Sequence, residues 1–416
     1  MTHLSGTNSP SIGPDYIVAT YRLVTRDKDL RKRAESIAVG LTVGSWTDLP
    51  AARQAQLKPY CGTVGETRIL AEHQDGSILA EIEVGYPVRN LTPRIPALLT
   101  TVFGKLSMDG DIKLVGLRLP EAFVRQFPGP KFGVAGVRQR LGVEGRPLIM
   151  SIFKSCIGMP LDALVEHFTE QALGGVDLIK DDEIFFSEQL ATPEARVAAY
   201  VRAAERVAGT TGRKVAYAVN LTGPTYELRD RARRLADLGA GALLFNVFAY
   251  GLDILQELAA DPAIQVPIMA HPAVAGALYA APRHGIAASI VLGQLLRLAG
   301  ADIVIYPSPY GSVTLAKEEG AAVLGALRGP SPHKPCLPAP SAGIHPGMVP
   351  VLLRDFGTDF IVNAGGAIHG HPGGATAGGQ AFVAAVQAAI SGRPLREAAQ
   401  ASEPLAQAIA RWGVAE

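Results

Sequence analysis

The chain has 416 residues, 48% of them apolar and 19% charged, with 39 Lys and Arg against 38 Asp and Glu. That length accommodates two domains with a large core, and the balanced charge argues against a disordered chain or a dedicated nucleic-acid binder. Three cysteines, Cys61, Cys156 and Cys336, without a CxxC pair argue against a disulfide framework or structural zinc and for a reducing cytoplasm; there is no apolar leader and no membrane-length apolar run.

Taken in chain order, residues 1–140 mix strand-like stretches at 15–23, 77–87 and 112–120 with helical ones near 28–39 and 92–103, which predicts a small α+β domain with an antiparallel sheet. A turn-rich stretch at 125–147 marks its border. From there to residue 416 the rhythm changes. Near-continuous apolar runs fall at 147–154, 174–182, 214–220, 241–247, 266–271, 301–307, 336–343 and 359–366, separated by helical segments such as 161–173, 194–208 and 228–239. Eight buried strands alternating with helices predict a parallel sheet closed into a (β/α)8 barrel over residues 141–416, with the helices 379–390 and 394–412 covering it at the end.

Catalytic groups of such barrels project from the carboxyl ends of the strands. The polar residues closing the eight runs are Lys154; Lys180, Asp182 and Glu183; Asn220 and Thr222; Asn246; His271; Ser308; Ser341 with His345; and Gly365–Gly366 with His369. In Lys180-Asp181-Asp182-Glu183 the alternation of a strand places Lys180 and Asp182 on one face and turns Asp181 away. Hard oxygen ligands there suit magnesium, and Lys180 becomes a third anionic ligand if its neutral amine captures carbon dioxide as a carbamate. The simpler alternative is a lysine paired with its acidic neighbours. Gly365 and Gly366, beside Ser341 and Gly343, are candidates to cradle a phosphate through main-chain amides, or else form tight turns. His271 either binds substrate or plugs the barrel, and Lys105 is a surface lysine unless the site needs a base. No HExxH, P-loop or dinucleotide fingerprint is found.

The run GGVDLIKDDE (174–183) closely resembles the metal-site signature of the RuBisCO large chain. The likeness extends through SWTDLP (45–50), FPGPKFGVAGVRQRLGVEGRPL (127–148), YAVNLTG (217–223), PIMAHPA (267–273), PSAGIHPG (340–347) and NAGGAIHGHPGG (363–374). The resemblance implies Mg2+ on carbamylated Lys180, Asp182 and Glu183. It also implies a homodimer whose active site is shared between chains, in which Ser45, Trp46 and Thr47 face the partner's substrate unless Trp46 is core.

Departures from that family's carboxylases bear on the reaction. The loop 307–315 has no lysine, Cys156 and Pro272 stand where cations are expected, and Gly40 replaces the catalytic glutamate of the first domain. Losing those charges argues against carboxylation. FGKLS (103–107), KSCIG (154–158), LFNVFAYGLD (244–253) and PSPYGSV (307–313) most resemble the RuBisCO-like enolases of methionine salvage. By that resemblance Lys105 removes a proton from C1 of 2,3-diketo-5-methylthiopentyl 1-phosphate, Lys154 is a second cation near the enolate, and Ser341, Gly343, Gly365 and Gly366 hold the phosphate. The alternatives are a RuBisCO-like decarboxylase of 3-oxo-isoapionate 4-phosphate, an isomerase of methylthioribulose 1-phosphate, and a non-catalytic binding protein on a relic barrel.

Overall fold

The computed structural model describes residues 12–44 and 49–415, so Ser45, Trp46 and Thr47 lie outside the described residues. The chain divides into two compact units. The first runs to Phe127 and takes in Val274–Val291; the second comprises Pro128–Ala273 and Leu292–Glu416.

The first unit is built on strands β1 (Tyr16–Thr25), β2 (Thr63–Glu72), β3 (Ile78–Pro87) and β4 (Ile112–Arg118), antiparallel to one another in the order β4-β1-β3-β2. Sequence periodicity does not pick out β2. It lies at the edge of the sheet and most of its second half is exposed, so TRILAE carries charge where a central strand would alternate. The segment Val274–Val291 joins this unit because the two-residue strand β10 (Gly285–Ile286) adds in parallel to β4, and the Lys113 ammonium donates to the carbonyls of Tyr279 and Ala281 at 3.0 and 2.6 Å. The barrel rhythm alone would leave that segment in the second domain.

The second unit is the barrel. Its strands are β5 (Leu148–Ile152), β6 (Leu178–Lys180), β7 (Ala216–Asn220), β8 (Ala242–Phe245), β9 (Ile268–Ala270), β11 (Ile303–Pro307), β12 (Leu337–Ser341) and β13 (Ile361–Ala364), all parallel. Every one falls inside a run read from the sequence. The order β12-β11-β9-β8-β7-β6-β5-β13 brings β12 beside β13 and closes the ring. That last seam has no regular ladder, for a chemical reason. Leu337 N donates to Asp302 O, so the odd positions of β12 face β11, and the positions facing β13 are Pro338 and Pro340, which have no N–H to give.

Helices Leu161–Leu173, Pro193–Thr211 and Leu228–Asp237 cover the sheet where the apolar periodicity puts them. The C-terminal stretch expected as one helix over 394–412 is broken into Leu395–Ala398 and a helix at Glu403–Trp412. Pro404 cannot continue a helix from upstream, and the Ser402 hydroxyl instead caps a new one by accepting from Leu405 N at 3.4 Å. Among the described residues no helix is long and apolar enough to cross a membrane.

Candidate active site

The barrel interior is filled by Met150, Leu178, Ala218, Leu244, Met269, Ile305, Ala339 and Ile361, one from each strand. Side chains repeat every second residue along a strand, so the next inward positions are Ile152, Lys180, Asn220, Asn246, His271, Pro307, Ser341 and Asn363. An apolar layer is thus capped by a mostly polar one, with Ile152 and Pro307 the apolar members, at the carboxyl ends of the strands.

Lys180 is the member of that layer contributed by β6, with its side chain 1% exposed. Its ammonium donates to the main-chain oxygen of Asp181 at 2.9 Å and reaches Glu183 Oε2 at 3.4 Å. Burial pushes the amine below its ordinary pKa, against the opposing pull of the Glu183 and Asp182 charges. Asp182 accepts from Lys154 Nζ at 2.6 Å and from Ile184 N at 3.2 Å; Lys154 itself is 42% exposed.

Glu183 faces His271, whose Nε2 is 3.3 Å from Oε2. His271 Nδ1 accepts from Ala273 N at 3.2 Å, which assigns the ring proton to Nε2 and makes it the donor to Glu183. Burial and the Lys180 charge push His271 down to about 4, so the ring is neutral at neutral pH. Burial pushes Glu183 up, but the charges of Lys180 and His271 outweigh it and hold the carboxyl at about 2.

The loop carrying these groups is pinned from below. The side-chain amides of Asn220 and Asn246 both donate to the main-chain oxygen of Glu183, at 3.1 and 3.0 Å. Asp181 points out of the barrel, where its Oδ2 accepts from Asn220 N at 2.9 Å and from Arg196 Nη2 at 3.0 Å. Arg196 also donates to the Ala191 carbonyl and the Tyr217 hydroxyl, and stacks 4.0 Å over the Phe185 ring.

Sequence reasoning missed Arg196. A signal was present: it heads the buried stripe Tyr200, Ala203, Val207 of its helix, where an arginine is anomalous without a buried acid. Arg196→Met leaves the Asp181 carboxylate buried without its cation and is expected to destabilise the fold by about 3–5 kcal/mol. The double variant with Asp181→Asn should recover most of that in denaturant unfolding; equal stability of the two would contradict the pairing.

On the far side of the mouth, Ser341 ends β12 and its carbonyl accepts from Ser308 N at 2.6 Å, while Ser312 N donates to Ala342 O at 3.1 Å. Gly343 has φ +77°, a backbone conformation that favours glycine. Gly365 sits in a tight space, since a Cβ there would meet Lys154 Cε at 3.0 Å and Ile152 Cβ at 3.2 Å, whereas Gly366 opens onto free space. Lys154, Lys180, Asp182, Glu183 and His271 therefore form one connected cluster, with Gly365 against Lys154. His369 and His371 are held by main-chain oxygens of Ile152 and Pro404 at 2.9 and 2.8 Å. Cys156 is buried, and burial, then the Asp181 and Asp182 charges, push its thiol up to about 11, which disfavours the thiolate.

Lys105 belongs to the first unit. It is exposed at the end of a π-helical turn, Thr100–Gly104, and lines a cavity of about 360 Å3 with Arg33, Ile37, Gly40, Leu106 and Met108.

Among the described residues no three His, Cys, Asp or Glu side chains converge as a ready metal site. Asp182 and Glu183 supply two carboxylates, and beside them lies an amine, not a third acid. Asn246 Oδ1, Ser308 Oγ and Asn363 Oδ1, all at the barrel mouth, are buried with no hydrogen-bond partner. Buried polar atoms left unmatched in this way suit a site that receives a polar ligand.

Residues 133–324 and 331–412 match the family described as ribulose bisphosphate carboxylase large chain, catalytic domain. The chain is 53% identical over 408 residues to a 2,3-diketo-5-methylthiopentyl-1-phosphate enolase of Geobacillus thermodenitrificans, covering 96% of this chain and 98% of that one. Among solved structures, a rubisco-like protein (MtnW) from Alicyclobacillus acidocaldarius superposes with a TM-score of 0.93 at 62% identity, over 96% of this chain and all of that one. A dimeric archaeal Rubisco from Hyperthermus butylicus gives 0.86 at 28% identity, over 97% of each chain.

Proposed function

The chain belongs to the RuBisCO large-chain family, and on that premise we propose that it enolises 2,3-diketo-5-methylthiopentyl 1-phosphate in methionine salvage and fixes no carbon dioxide. The observation that carries this reading is the buried Lys180 amine 3.4 Å from the Glu183 carboxylate, with Asp182 two residues away and paired to Lys154, in a chain whose 307–315 loop has no lysine.

The donor set fits a divalent cation such as magnesium once Lys180 is carbamylated. Burial favours the neutral amine that reacts with carbon dioxide, and the carbamate adds the anionic ligand that Asp182 and Glu183 lack between them. A cation held by Lys180, Asp182 and Glu183 supplies Lewis-acid stabilisation of negative charge on oxygen.

The chain's own groups do the rest. Lys105 takes the C1 proton of the diketone phosphate. His271 steadies Glu183 through its Nε2 proton, and the Lys154 amine pairs with Asp182 at 2.6 Å. Ser341, Gly343, Gly365 and Gly366 hold the phosphate, where the absence of side chains at the glycines lets main-chain amides approach an anion.

Assembly as a homodimer, with the active site shared between chains, fits the exposed apolar side chains Ile157, Ile184, Phe186, Leu190 and Tyr226 in the loops after β5, β6 and β7. A second copy of the chain is their proposed cover, and a cytoplasmic setting suits the free cysteines.

The test is turnover. Purified protein with Mg2+ and bicarbonate should generate enol absorbance from the diketone phosphate and release no carbon dioxide from 3-oxo-isoapionate 4-phosphate. The reverse pattern would favour the decarboxylase.

A further inference from the structure

Two tyrosines with wholly buried rings lie beneath the segment that carries Lys105: Tyr21 on β1 and Tyr86 on the neighbouring strand β3. Their hydroxyls are 2.7 Å apart, and the Tyr21 hydroxyl donates to the main-chain oxygen of Val102. Each phenol has a single proton to give. Because Tyr21 spends its proton on Val102, the shared contact runs from the Tyr86 hydroxyl to the Tyr21 oxygen, and the three groups form a directed chain. Burial, reinforced by Tyr86, pushes the Tyr21 hydroxyl well above its ordinary pKa, so it remains a donor.

Val102 is the middle residue of the π-helical turn Thr100–Gly104, which follows the helix Ile95–Leu99 and leads into Lys105. A π turn inserts one residue into the helical ladder and re-aims its carbonyls, a device frequent at functional sites. Here the turn is fixed at two points. Tyr21 holds the carbonyl three residues before Lys105, and the Ser107 hydroxyl donates to the Gly104 carbonyl at 2.7 Å, one residue before it. Lys105, which directly follows the second, keeps helical dihedrals of −66° and −39°.

Packing does not explain the hydroxyls. Two phenylalanines would fill nearly the same volume without the cost of desolvating polar groups in the core of the sheet. What the hydroxyls add is a fixed place for the Val102 carbonyl.

We propose that Tyr21 and Tyr86 are positioning residues for Lys105, tethering the π turn so that the lysine amine is presented in one place. This rests on the reading of Lys105 as the base that removes the C1 proton. A base displaced by about 1 Å can lose on the order of a hundredfold in rate.

The experiment is a double-mutant cycle on the holoenzyme with Mg2+ and bicarbonate, measuring kcat and KM for enol formation in wild type, Tyr21→Phe, Lys105→Ala and the combined variant. Tyr21→Phe is expected to lower kcat by about ten- to a hundredfold with KM nearly unchanged, and to cost nothing further once Lys105 is alanine. Tyr86→Phe keeps the bond to Val102 and should show a smaller fall in the same direction; it carries the test if Tyr21→Phe does not fold. An unchanged kcat in the tyrosine variants, or the same fold loss in both Lys105 backgrounds, overturns the tether alone. A wild-type rate in Lys105→Ala overturns the base assignment, and the tether with it.

Discussion

Lys180→Met is expected to lower the metal-dependent rate of enol formation by roughly a thousandfold, about 4 kcal/mol of lost stabilisation of the developing enolate. Methionine has a similar length and suits a side chain buried to 1% exposure, so the fold should tolerate the change. What disappears is the one group able to become the third anion beside Asp182 and Glu183. The loss should be accompanied by weaker Mg2+ binding in calorimetry, since two carboxylates alone remain. Turnover within a few-fold of wild type would mean that Lys180 is only the buried partner of its acidic neighbours.

Lys105→Ala should be nearly as damaging, by a different route. A positioned general base contributes about a hundred- to ten-thousandfold, and that fall should appear in kcat while KM stays close to the wild-type value. In deuterium oxide the wild-type enzyme should exchange the C1 proton of the diketone phosphate and the variant should not. Mg2+ affinity, set by residues of the other unit, should be unchanged. A variant that keeps its rate would turn the reading toward decarboxylation, which reaches an enolate by losing carbon dioxide and has less need of Lys105.

The barrel was legible in the sequence because its strands are buried on both faces. Each reads as an apolar run that ends in a polar residue, and the eight polar ends list most of the site layer, from Lys180 to Ser341. The alternation rule also assigned the directions within Lys180-Asp181-Asp182, and the structure shows Asp181 turned outward onto Arg196. What stayed hidden depends on partners distant in sequence. Arg196 is silent until Asp181 is opposite it, 15 residues away, and the Tyr21–Tyr86 pair joins residues 65 apart. The edge strand β2 and the two-residue strand β10 carry too little apolar pattern to announce themselves.

The roles of the two asparagines are of the same kind. Asn220 and Asn246 appear in sequence as polar strand ends, candidates to touch substrate. In the fold their amides hold the Glu183 carbonyl, and Asn246 keeps its oxygen for something else.

The most direct test of the account is to count carbamate. With 13C-labelled carbon dioxide and Mg2+, the wild-type protein should show one lysine carbamate carbon per chain by NMR. Capture consumes a neutral amine and releases a proton, so the signal should grow as pH rises. Because burial lowers the Lys180 pKa, it should begin at lower pH than for an ordinary lysine. Lys180→Met should abolish it, together with turnover of the diketone phosphate. Full turnover by wild-type protein that carries no carbamate would contradict the central claim.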